Sequence, residues 1–273
     1  MEFKGGASDS LAHAVEASDK RRASAWQLRF RIVSALILVL LAAFIAVYLN
    51  VEVEFISRVA PFIVGGIFLT IAVSFFSIIL ATLLAMLGAI GRLSRSATAN
   101  AIASFYVSFF RGTPLLLQLL FWYLALPQVG IVLDPFICAV GALGMNYGAY
   151  MTELFRAGIQ AVPLGQREAA LALGMSERLA FRRIVAPQAF RIILPAIGND
   201  FIAMLKDSAL ASAVTLHEVL WRAQNVGRKE FKSLQTLLIA AALYWVMTIA
   251  FSAVQNWIER RMASGDRNKE LKG

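Results

Sequence analysis

The chain has 273 residues, 59% of them hydrophobic and 16% charged, with a mean hydropathy of +0.68. Ordinary soluble domains carry about 25% charged residues, so this composition excludes a soluble globular fold and points to a multi-span membrane protein. The net charge of +9 is the Lys and Arg surplus that fixes membrane topology and does not argue for nucleic acid, and a single cysteine, Cys138, excludes an internal disulfide.

Residues 1–31 read as a polar tail ending in the basic cluster Lys20, Arg21, Arg22, Arg29 and Arg31. Residues 32–49 are apolar for long enough to cross a bilayer and read as an added N-terminal span, not as a cleaved leader. Further spans are predicted at about 60–90, 98–126, 135–155, 190–213 and 235–257, within a five-helix core at 60–258. A tail follows at 259–273. Six spans put both termini on one side. With the termini cytoplasmic, the inner segments hold 19 Lys and Arg and the outer segments hold 5, which selects that orientation. The outer cluster Arg222, Arg228, Lys229 and Lys232 runs against the trend.

Between the fourth and fifth of the six predicted spans lies a charged segment, 163–187 (PLGQREAALALGMSERLAFRRIVAP). Pro163 and Gly165 mark a helix start, and Glu168 is expected in the first turn, where a carboxylate suits the positive helix end. Gly174 can turn the chain between two short helices. The second helix, roughly 176–185, should stop near Pro187. Such a helix-turn-helix can lie across the membrane face and enter a groove on a soluble partner.

The spacing from Glu168-Ala169-Ala170 through Gly174 and Ile184 to Pro187 resembles the coupling loop of ATP-binding cassette (ABC) importer permeases. Three further segments resemble the polar amino acid uptake family within that class (the histidine, glutamine, glutamate, arginine and opine group). They are Phe109-Phe110-Arg111-Gly112-Thr113-Pro114-Leu115, the run from Tyr150 through Glu153 and Arg156 to Gly158-Ile159, and Leu194-Pro195 with Gly198-Asn199-Asp200 and Lys206-Asp207-Ser208. The resemblance covers about residues 60–260. One departure is Ala186, where the family often has a larger apolar residue before the proline.

The resemblance implies an all-α integral membrane fold of the type I importer permease kind, in the bacterial inner membrane, with six transmembrane helices and a cytoplasmic coupling loop. It implies docking of Glu168, Ala169, Ala170, Gly174, Ile184 and Pro187 on a separate ATPase dimer that carries ATP and Mg²⁺. It also implies a second permease subunit, identical or not, and an extracytoplasmic amino-acid-binding protein. The chain itself contains no G-x-x-x-x-G-K-[ST] loop and so should not hydrolyse ATP. No metal site is expected from His13 and His217, which have no neighbouring ligand in sequence.

Polar residues inside the spans are the candidate substrate path: Arg111, Gly112, Thr113, Pro114, Asn146, Glu153, Asn199, Asp200, Lys206 and Asp207. A charge at membrane depth must face protein or water, and Gly112 and Pro114 loosen the helix beside Arg111. Arg111 is either a hinge or path residue, or a structural partner of Glu153. Glu153 is either that partner or a site for a cationic substrate. Asn199, Asp200, Lys206 and Asp207 fall within about 120° of one helix face, with Ala196 and Ala203 on the same stripe. The stripe faces a wet pathway or a neighbouring helix. Asp200 and Asp207 are about 10 Å apart along that helix, too far for a shared-proton dyad. The rival function is an ion-gradient-driven secondary transporter or channel using Arg111, Glu153, Asp200, Lys206 and Asp207. A nearer rival keeps the importer and changes the cargo to another small polar solute.

Overall fold

The computed structural model describes residues 22, 26–37, 39–40, 43 and 52–270, with side chains to 262. All regular structure among them is helical. The chain divides into residues 1–55 and 56–273. In the first, the described residues of 26–37 are helical, and Trp26 stacks on Phe30 with ring centroids 5.5 Å apart. Most of the predicted tail, and much of the predicted span 32–49, lie outside the described residues.

The remaining helices are α1 (Val53–Val64), α2 (Ile67–Leu93), α3 (Ala97–Gly112), α4 (Leu115–Leu120), α5 (Pro135–Gln160), α6 (Leu164–Ala172), α7 (Glu177–Ala180), α8 (Ala186–Asp207), α9 (Val219–Lys229) and α10 (Ser233–Glu270). By length and apolarity, Val53–Leu93 and Ser233–Met262 can cross a membrane alone, and Ala97–Gly112 with Leu115–Val129 forms a third, broken span bent by 102°. The sequence predicts one uninterrupted span at 98–126; the structure breaks it at Gly112-Thr113-Pro114. Thr113 and Pro114 are extended (ψ 142° and 135°), because a residue before proline is pushed out of the helical region. Helices α5 and α8 have 26 and 22 residues, long enough to span. Their polar positions keep them from qualifying on apolarity.

The core is built on α2 and α5. Small residues at helical spacing on α2 (Ala81, Ala85, Gly88, Ala89) meet Gly144, Gly148 and Thr152 on α5. Backbones approach closely where side chains are this small. A Cβ on Gly88 would strike the Thr152 side chain, and one on Gly144 would strike Leu80. The opposite face of α2 is bare: Phe68 is 80% and Leu87 66% exposed, as expected of a surface that meets lipid.

Candidate substrate cavity and coupling surface

The cavity grows from the broken helix. Ending α3 at Gly112 frees carbonyls that membrane protein must satisfy internally. Gln118, buried on α4, donates from Nε2 to Phe110 O (2.9 Å), Thr113 O (3.1 Å) and Thr113 Oγ1 (2.8 Å). Asn146 on α5 donates to the same Phe110 O (3.0 Å) and to Gln118 Oε1 (3.3 Å). The break is therefore a locked turn, which supports Arg111 on one side and Pro114-Leu115 on the other.

Around it opens a cavity of about 530 Å³ lined by Arg111 to Leu115, Asn146, Tyr147, Tyr150, Asp200, Ala203 and Asp207. The Arg111 guanidinium lies over the Tyr150 ring, 5.1 Å from its centroid, a favourable cation–π placement. Tyr147 donates its hydroxyl to Asp207 Oδ2 at 2.7 Å. Asp200 is half-buried and has no hydrogen-bond or ion-pair partner among the described residues. The wall thus carries one guanidinium and two carboxylates, with only one carboxylate engaged.

Seven of the ten candidate path residues meet here: Arg111, Gly112, Thr113, Pro114, Asn146, Asp200 and Asp207. Three do not. Asn199 faces α10, where its Oδ1 accepts from Gln255 Nε2 at 3.1 Å. Lys206 is exposed and outside the cavity lining. The predicted single polar stripe on α8 is therefore two stripes, Asp200–Ala203–Asp207 inward and Asn199–Lys206 away, each at helical spacing. Glu153 is in an ionic fork near the end of α5. It accepts from Arg92 Nε (3.0 Å) and from Arg156 Nε (2.8 Å). Arg92 also donates to Ser104, and its carbonyl accepts from Asn100 Nδ2 at 2.8 Å. The expected Arg111 pairing does not form: Arg92 is the helix-to-helix partner of Glu153, and both of its oxygens are occupied.

The coupling segment folds as a helix-turn-helix. Gly174 has φ +80°. Met175 N donates to Ala170 O (3.1 Å) and Gly174 N to Leu171 O (2.9 Å), the paired bonds of a Schellman stop, which favours glycine at this position. Ser176 caps α7 by accepting from Leu179 N, and Arg167 pairs with Glu177 across the turn. Glu168, Ala169, Gly174 and Pro187 are exposed, Ile184 is half-buried, and Ala170 is buried at 3%. Ala170 therefore holds the motif from beneath. Leu164 and Leu173 stand out at 73% and 80% exposure.

Two details differ from the sequence expectation. Helix α6 begins at Leu164, so Glu168 sits in its second turn. Pro187 does not stop the second helix. A π turn at Phe181–Val185, with Ala186 N bonded back to Phe181 O, leads directly into α8. The wider turn accommodates a proline that lacks an N–H and would crowd a regular helix.

Sequence reasoning did not assign Tyr147, Tyr150 and Gln118 to the site, since aromatic and amide residues in an apolar run carry little signal without their partners, and it did not pair Arg92 with Glu153. It also missed Glu218. This fully buried acid caps α9 by accepting from Leu220 N (2.9 Å) and Trp221 N (2.7 Å), and it accepts from the Tyr244 hydroxyl. An acid directly before a helix was the available clue.

Residues 81–264 match the family described as binding-protein-dependent transport system inner membrane component. The chain belongs to this family. It is 39% identical over 203 residues to an L-cystine transport system permease protein of Bacillus subtilis, covering 74% of this chain and 87% of that one. An arginine transport system permease protein of Corynebacterium glutamicum is 34% identical over 283 residues, covering 95% of this chain and 87% of its own. Among solved structures, that of an amino acid ABC transporter with histidines aligns with TM-score 0.74 and 37% identity, over 77% of this chain and 99% of the other. The inward-facing MetNI methionine ABC transporter aligns with TM-score 0.53 at 17% identity, over 76% of this chain and 99% of that one, a likeness of fold. The architecture is that of a type I ABC importer permease.

Proposed function

We propose that this family member is the permease subunit of an ATP-driven importer for a polar amino acid, working in the inner membrane with both termini cytoplasmic. The observation that carries the cargo class is the cavity wall, which sets the Arg111 guanidinium and the Asp200 carboxylate around one space. A zwitterion needs both signs: Arg111 takes the α-carboxylate and Asp200 the α-ammonium, while Tyr147 holds Asp207 in place. The relatives named above, a cystine and an arginine permease, support the same class. A second permease subunit completes the path, and an extracytoplasmic binding protein delivers the cargo. The exposed surface of Glu168, Ala169, Gly174 and Pro187 docks on an ATPase dimer that holds ATP and Mg²⁺. Ile184 and Ala170 shape it from below. Binding of cargo and of ATP bias one two-state equilibrium.

Gentle detergent purification followed by mass spectrometry of what accompanies the chain tests this. An ATPase subunit retained by wild type and lost with Glu168→Lys is the expected result. The chain recovered alone, yet active in ion-driven uptake after reconstitution, overturns it in favour of a secondary transporter.

A further inference from the structure

In the topology proposed above, the basic cluster at 222–232 lies on the side where Lys and Arg are otherwise scarce, so it runs against the rule that fixes orientation. Helix α9 buries Val219, Ala223 and Gly227 on one face, four residues apart, and turns Arg228 and Lys229 outward. Arg222 is occupied, donating to His217 O (2.9 Å) and Phe62 O (3.0 Å). Glu230 is ion-paired with Arg58 at 3.4 Å, so it does not neutralise its neighbours. The chain then reverses around Phe231. Lys232 N donates to Gly227 O at 2.9 Å, and Phe231 sits at φ +55° with 96% of its surface exposed. A bulky residue seldom adopts that conformation, and here it aims the ring away from the chain. Only Lys232 separates Phe231 from Ser233, where the apolar span Ser233–Met262 starts.

We propose that this corner, Arg228 to Ser233, docks the headgroup of an anionic phospholipid, with the Phe231 ring set into the membrane surface. The guanidinium and ammonium supply the donors and positive charge that a lipid phosphate takes. An aromatic ring at the mouth of a span sits at headgroup depth. That continuity with the span selects lipid over a soluble protein as the occupant. Assignment to the outer leaflet rests on the topology proposed above. The docked lipid tethers α9 and the start of α10, and with them the Glu218–Tyr244 contact that joins the two helices.

The test uses the complete transporter in vesicles of phosphatidylcholine with or without phosphatidylglycerol. Cys138 is fully buried, so on this chain the Phe231→Cys variant places one reactive thiol for an environment-sensitive fluorophore, with labelling of the wild-type transporter as the background. Quenching by a headgroup-depth nitroxide lipid, with little quenching by aqueous iodide, is expected. Retention of a labelled phosphatidylglycerol through purification should fall about fivefold for each charge removed in Arg228→Gln and Lys229→Gln, and about 25-fold in the double variant. Iodide quenching without lipid quenching, or equal lipid retention in the double variant, overturns the proposal. So does a fluorophore shielded only when the binding protein is added, which would give the face to that protein. Labelling of the Phe231→Cys variant in spheroplasts by an impermeant maleimide reads the side separately. Protection there, with lipid quenching intact, would overturn the leaflet and leave the lipid contact.

Discussion

The coupling surface and the cavity are built in opposite ways. The first is one continuous stretch of chain whose shape comes from local rules: a Schellman stop at Gly174, a serine cap at Ser176 and a salt bridge across the turn. The second gathers α3, α4, α5 and α8, and its walls hold only because buried amides from two helices satisfy a broken third. A local structure is vulnerable to one residue. A gathered one distributes the damage, except where a charge has no substitute.

The sharpest way to test that contrast is Gly174→Asp. A side chain at φ +80° is strained, and the new charge enters the proposed docking surface. ATPase co-purification should be lost and reconstituted uptake should drop to background, with membrane insertion intact. Normal uptake by this variant would remove the coupling assignment. Next is Asp200→Asn, which removes the charge-assisted bond proposed for the cargo ammonium, worth about 2 kcal/mol, or roughly thirtyfold in apparent affinity. ATPase co-purification should stay at the wild-type level. Loss of both together would mean that the two regions are not separable.

A smaller effect is expected from Glu153→Gln. The fork it forms with Arg92 and Arg156 is partly exposed, at 21–32% for the three side chains. Its loss should cost about 1 kcal/mol, seen as a lower melting temperature in detergent. The reversal Arg111→Glu with Glu153→Arg should rescue nothing, since those two residues are not partners. The mildest probe is cysteine reactivity. Thiols at 200, 203 and 207 should react with a water-soluble reagent. The one at 199 should react less, because that position faces α10. Equal reactivity on both stripes would merge them again.

How much could be read beforehand follows the same division. The loop was legible because each part of it, from the E-A-A run to Gly174, is fixed by neighbours in the chain. The polar residues inside the spans were legible as a list, because charges at membrane depth are costly and stand out. Their pairing was not. Arg92 lies 61 residues from Glu153, and nothing local favours it over Arg111. Periodicity also placed Asn199 and Lys206 with Asp200 and Asp207. A 120° arc is wide enough to straddle two neighbours, and α5 and α10 divide it. Pro187 was misjudged because a π turn, which no propensity announces, absorbs it.

That π turn has a mechanical consequence. From Glu177 through Phe181–Val185 to Asp207 the chain never leaves helical geometry, so the docking loop and the cavity acid are the two ends of one rod. The 22 residues of α8 alone reach about 33 Å. Part-way along, Ile193 rests directly against Gly158 of α5, where no larger residue would fit. Under the proposed function, this continuous helix is the path by which a displacement of the loop reaches Asp200 and Asp207.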